Sequence, residues 1–109
     1  MTLPTPEDPH SAPVWENYLV AQLTHAALGL LPERAVALGV QVENYDVTVH
    51  CQLSSVTAAD QEDLAEIAGE LATLVGDDVN IRIVYEVRQQ PMLSPRDGVR
   101  WVYAARAEG

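Results

Sequence analysis

"VTVHCQLSSVTAADQEDLAEIAGELATLVGDDVNIRIVYEV", residues 47–87, is the stretch on which the fold turns. It begins by alternating Val47, Val49, Cys51 and Leu53 against Thr48, His50, Gln52 and Ser54, the two-residue period of a strand with one buried face. Thr57 then opens a helix. Asp60 stands three residues further on, the spacing at which the two side chains satisfy free amides of the first turn. Leu64, Ile67, Ala68, Leu71 and Val75 recur at helical spacing, which predicts a helix over 58–75 that Gly76 ends in a left-handed conformation. Val79, Ile81, Ile83, Tyr85 and Val87 alternate again with Asn80, Arg82, Val84 and Glu86, so a further strand follows.

Upstream, "AVALGVQV" sets Val36, Leu38, Val40 and Val42 on one face against Ala35, Ala37, Gly39 and Gln41 on the other. "ENYD" separates this strand from the one beginning at Val47, which predicts a hairpin with a short loop. Before it, Pro13 suits a first helical turn, Ser11 is placed to assist the cap, and Pro32 stops a helix over 13–31. Its stripe is Trp15, Leu19, Leu23, Ala26 and Leu30. Val20, Ala21, Leu28 and Leu31 widen the apolar surface, and Glu16 is its single carboxylate, so more than one sheet face should cover it. Downstream, "QQPMLSPRDGVRWVYAAR" holds a turn at "SPRDG" and then Val99, Trp101 and Tyr103 alternating with Arg100 and Val102. Those aromatics make either a fourth strand or a cover for the first helix.

The expectation is an α+β two-layer sandwich of order α-β-β-α-β, with a possible fourth C-terminal strand. A right-handed crossover through the second helix sets the third strand beside the first, giving an antiparallel sheet with both helices on its Val-rich face. Residues 1–12, with three prolines, two acids and no periodicity, read as a flexible arm ahead of one domain over 13–109.

Sixteen acids against six Arg and no Lys leave a net charge of -10, which repels nucleic acid and anionic membranes and favours a basic partner. No 18-residue apolar run occurs, the first residues carry neither a basic leader nor an apolar stretch, and Cys51 is alone, which together predict a cytoplasmic protein without a disulfide framework. No metal or cofactor is expected. His50 and Cys51 leave opposite faces of one strand, His10 lies in the arm, and His25 is isolated on a helix. The parity of Cys51 matches the buried face, so it reads as a core thiol and not as a nucleophile. No phosphate loop or nucleophile elbow is present, and a small enzyme would need a buried polar pocket gathering two or more of Glu16, His25, Glu86 and Asp97.

Charge supplies the candidate site. Residues 57–78 hold seven carboxylates and no Lys or Arg. Glu62, Asp63, Glu66 and Glu70 project opposite the apolar stripe, and Asp77 and Asp78 follow at the helix end where the dipole disfavours them. Either this is a solvated face, or it docks a basic protein. The neutral residues Ala35, Ala37, Gln41, Thr48, His50, Gln52 and Ser54 likewise suit either solvent or contact with a twin, as does the first helix.

In small size, acidity and two-layer α+β pattern over about residues 13–88, the chain resembles the immunity proteins of bacterial toxin systems, which occupy a cognate toxin. That likeness rests on no diagnostic motif and transfers no binding residue. It implies a bacterial, non-enzymatic inhibitor, and the unpaired charge of the acidic helix is what offers a surface to a basic protein. A structural or regulatory homodimer is the alternative.

Overall fold

A computed structural model describes residues 12–76, 78–94 and 97–105 of the chain. The order is α1 (Ala12–Ala26), β1 (Ala35–Glu43), β2 (Asp46–Leu53), α2 (Ala58–Val75), β3 (Asn80–Val87) and β4 (Arg100–Ala104). The four strands form one mixed sheet in the order β3-β2-β1-β4. The Pro-rich arm up to residue 11, including the Ser11 cap, lies outside the described residues.

The capping pair at α2 forms as its spacing requires. Thr57 N donates to Asp60 Oδ2 at 2.9 Å and Asp60 N donates to Thr57 Oγ1 at 3.2 Å, while the Thr57 hydroxyl adds a third bond to the same carboxylate at 2.8 Å. Leu64, Ile67 and Leu71 are buried on the inner side, each worth roughly 1.5–3 kcal/mol relative to exposure. Gly76, at φ 97°, ends the helix, and its N–H donates to Ala72 O at 2.9 Å. These helix residues share one buried cluster with Leu19 and Leu23 of α1 and with Leu38, Val40, Val47, Val49, Cys51 and Leu53 of the central strands.

The expected position of the third strand is wrong. β3 does not lie beside β1 and the sheet is not antiparallel throughout: β3 pairs with β2 in parallel, Asp46 opposite Asn80 through Leu53 opposite Val87. The far edge of β1 is taken instead by β4, whose Trp101 and Arg100 pair antiparallel with Gly39 and Val40. Burial explains the choice. Residues 35–40 of β1 are shielded on both faces, as a central strand requires, whereas β3 alternates exposed and half-buried positions, as an edge tolerates. The C-terminal segment is thus the fourth strand, and the element order is α-β-β-α-β-β.

Two smaller expectations also shift. Helix α1 ends at Ala26 instead of reaching 31, because Gly29 adopts φ 77° and the chain tightens into turns, with Leu28 N donating to His25 O at 3.2 Å. In β1, an irregularity in the pairing with β2 between Ala35 and Ala37 breaks the alternation. Ala35 joins the core cluster and Val36, although buried, does not. The hairpin loop itself is as short as expected: Glu43 pairs with Asp46, and Asn44 takes φ 55°. Trp15 of α1 donates its indole N–H to Asn44 O at 2.9 Å and meets Tyr45 edge-on at 6.0 Å, so helix and hairpin are tied together. Tyr18 donates to Leu74 O at 3.2 Å, tying α1 to the end of α2.

Candidate functional site

The carboxylates of α2 fall where the pattern put them. Glu62, Glu66 and Glu70 are exposed at successive i, i+4 positions, and Asp63 is half-buried beside them. Asp78 is exposed past the helix end, while Asp77 lies outside the described residues. Among the described residues the ion pairs are Arg34–Asp60, Arg88–Glu86 and Arg100–Glu16, so the glutamate row has no cation across from it. The helix dipole favours carboxylates near the start of α2, which accounts in part for Glu62, but like charges at i, i+4 cost a helix about 0.2–0.5 kcal/mol per pair, so Glu66 and Glu70 do not serve the stability of α2. Asp60 has a different role: its carboxylate is spent on the cap and on Arg34 Nη1 at 3.8 Å.

The opposite face of the central strands holds a second constellation that the sequence did not show. After β3 the chain crosses the side of the sheet that carries His50 and Gln52 before returning as β4. Gln52 is the fastening. Its Nε2 donates to Met92 O at 2.7 Å and its Oε1 accepts from Met92 N at 2.8 Å, so a side chain supplies both bonds that a neighbouring strand would make. Residues 88–94 and 97–99 therefore cover part of the neutral face otherwise open to solvent or to a twin, and Gln52 is left only 2% exposed. Gly39 permits the return. A Cβ there would stand 2.6 Å from Val99 Cγ1, 2.7 Å from Trp101 Cε3 and 3.0 Å from Arg100 O.

Between sheet and segment lies a cleft of ≈ 230 Å³ in which Glu86, Arg88, Asp97, His50 and Trp101 meet. Its polar groups hold one another. Arg88 Nη2 donates to Glu86 Oε2 at 3.3 Å, and His50 Nε2 lies 3.0 Å from Gln41 Oε1. Asp97 accepts from Val99 N at 2.9 Å, from Trp101 Nε1 at 3.1 Å and from Ser94 N at 3.2 Å. The Val99 amide above all, then the Ser94 amide, the Trp101 indole and the nearby His50, hold the Asp97 carboxyl below the usual carboxylate range. Arg88 Nε is buried and without a hydrogen-bond partner.

Glu86 and Asp97 thus do share a pocket, although an open one, and His50 joins them. Glu16 is elsewhere, paired with Arg100 Nη1 at 2.7 Å, and His25 lies exposed near the end of α1. The usable signal for the cleft was the shared parity of His50 and Gln52 with Arg82, Val84 and Glu86. What no local pattern reveals is that residues 88–94 and 97–99 lie on that face. Among the described residues no group of three or more His, Cys, Asp or Glu is arranged to hold a metal ion. Cys51 is fully buried, and burial first, then the charge of Asp60, pushes its thiol up to about 12. No helix among the described residues is long and apolar enough to cross a membrane. No protein-family model matches the chain, and no curated protein matches it in sequence.

Proposed function

We propose that the protein is a bacterial, cytoplasmic, non-enzymatic interaction module, of the kind immunity-type inhibitors represent, which meets a basic protein partner through α2. The observation that carries this reading is the exposed row Glu62, Glu66 and Glu70, unpaired within the described residues and, at Glu66 and Glu70, unfavourable to its own helix. Asp63 and Asp78 extend the negative surface, and Asp77 adds charge beside them in sequence. Both helices lie over the Val47–Leu53 face in this reading, so the sheet backs α2 and the glutamate row presents itself without reorganisation. Such a surface accelerates encounter with a cationic partner and loses that advantage as salt rises. Reversing Glu62, Glu66 and Glu70 to Arg is the test. Capture of a stoichiometric basic protein from the host lysate should be abolished by the reversal, and capture that survives it unchanged refutes the assignment.

One observation favours a second reading, a small-ligand site in the cleft. The half-exposed Arg88 side chain and the indole of Trp101 line the cleft with His50, Glu86 and Asp97, an arrangement suited to a ligand that offers a hydrogen-bond acceptor and a flat apolar face. Fragment screening by NMR decides it: hits that shift the Trp101 indole resonance and fail against Arg88→Ala support the site, and the lack of any such hit removes it.

A further inference from the structure

The two edges of the sheet are treated differently. β4 has five residues and an irregular pairing with β1 between Leu38 and Gly39, features that blunt an edge. β3 has eight residues, no proline and an unbroken register with β2. Asn80 N donates to Tyr45 O and Arg88 N to Leu53 O, both at 2.8 Å, so the even-numbered residues of this regular ladder turn their peptide groups toward β2. The odd-numbered residues Ile81, Ile83, Tyr85 and Val87 consequently aim their N–H and C=O groups outward. The strand is also apolar beyond what an open edge requires: Val84, Tyr85 and Val87 are 38%, 37% and 59% exposed. Natural sheets avoid a long, flat edge of this kind unless another strand covers it.

We propose that β3 pairs with β3 of a second copy of this chain, antiparallel about a two-fold axis at Val84. Backbone and charge select this register independently. The outward peptide groups of odd residues must face one another, so the axis passes through a residue of β3. Axes at Arg82 or Glu86 set a charge against its own copy, and an axis at Tyr85 sets Arg82 against Arg88. An axis at Ile83 places Arg82 opposite Val84. The axis at Val84 alone sets Arg82 opposite Glu86 on both sides of the dyad, with Ile83 against Tyr85, Ile81 against Val87 and Val84 against itself. Arg82 and Glu86 share a sheet face, since they stand opposite Thr48 and Gln52 in the register with β2. The product is a continuous eight-stranded sheet with an isologous interface. It leaves α2 free and shares only Glu86 with the cleft, where that carboxylate already accepts from Arg88 Nη2, so it stands whether or not the acidic helix binds a partner.

Sedimentation of the purified protein should give twice the 11.9 kDa chain mass. Val84→Cys should close a disulfide across the dyad on mild oxidation, because facing residues that do not exchange hydrogen bonds sit with Cα atoms about 4.5 Å apart, within disulfide reach. Asn80→Cys, which faces Arg88, should not. Arg82→Glu and Glu86→Arg should each weaken self-association at least about tenfold, while mixing the two variants should restore a dimer by re-forming both pairs. Circular dichroism on each variant separates loss of pairing from loss of fold, and the mixing experiment needs only variants that pass it. A monomer at concentrations up to about 1 mM overturns the proposal, including the case in which the edge takes a strand from another protein. So does a dimer that Val84→Cys leaves uncrosslinked.

Discussion

Replacing Gln52 with alanine isolates the contact that holds the crossing segment to the sheet. Gln52 is 2% exposed and makes two hydrogen bonds to a single residue, Met92, at 2.7 and 2.8 Å. Each such bond contributes about 0.5–1.5 kcal/mol net, so the pair is worth about 1–3 kcal/mol. Alanine also leaves Met92 N–H and C=O to find water, which they can do because Met92 lies at the exposed rim. The loss should therefore stay near the middle of that range, about 2 kcal/mol, and lower the melting temperature by about 8–16 °C for a chain of this size. The damage should be regional. With Gln52 gone, the Met92 amide loses its acceptor, and the segment through Asp97 and Val99 should detach before the sheet melts. Hydrogen exchange followed residue by residue should show Met92 losing most of its protection, while the amides of β2 toward β1 lose only what the global shift accounts for. An unchanged urea midpoint, or unchanged exchange at Met92, refutes the reasoning that this side chain stands in for a strand.

Other outcomes follow from the same geometry. Gly39→Ala should destabilise by about 1–3 kcal/mol and move Trp101, because its Cβ would meet the Trp101 ring and the Arg100 carbonyl at van der Waals overlap; an unaltered Trp101 indole resonance in the variant argues against that close approach. The Asp97 carboxyl titrates below its unfolded value of about 3.9, so its contribution to the turn is present above that pH and is lost as pH falls through the lower folded value. Trp101 fluorescence, read in a Trp15→Phe background, should therefore change in acid below about pH 4, and Asp97→Asn should flatten that transition. Cys51, buried with its thiol pushed up to about 12, should resist aromatic disulfide reagents at pH 8 in the native protein and react fully in denaturant; stoichiometric labelling of the folded chain would contradict its place in the core.

Local chemistry made much of this legible beforehand. The Thr57–Asp60 cap, the Leu64–Ile67–Leu71 stripe, the Gly76 terminus and the inward set Val47, Val49, Cys51 and Leu53 depend on contacts a few residues apart, or on a period that one buried face imposes. The exposed row Glu62, Glu66 and Glu70 is legible for the same reason, since helical spacing alone places it.

What the tertiary structure decided is where segments distant in sequence come to rest. The alternation in β3 is equally compatible with either neighbour; in the fold β4 takes the outer edge of β1 and the half-exposed β3 pairs with β2 in parallel. Parity places Gly39 only on the outer face of its strand, and the fold alone brings Val99 and Trp101 over it. Gln52 faces outward by parity, toward solvent or a twin; the fold instead lays residues 88–94 and 97–99 above it, and with that crossing comes the meeting of His50, Glu86, Arg88, Asp97 and Trp101. Periodicity tells which way a side chain turns from its own strand. It carries no information on which distant segment covers that face, because that choice depends on how the whole chain divides its buried surface.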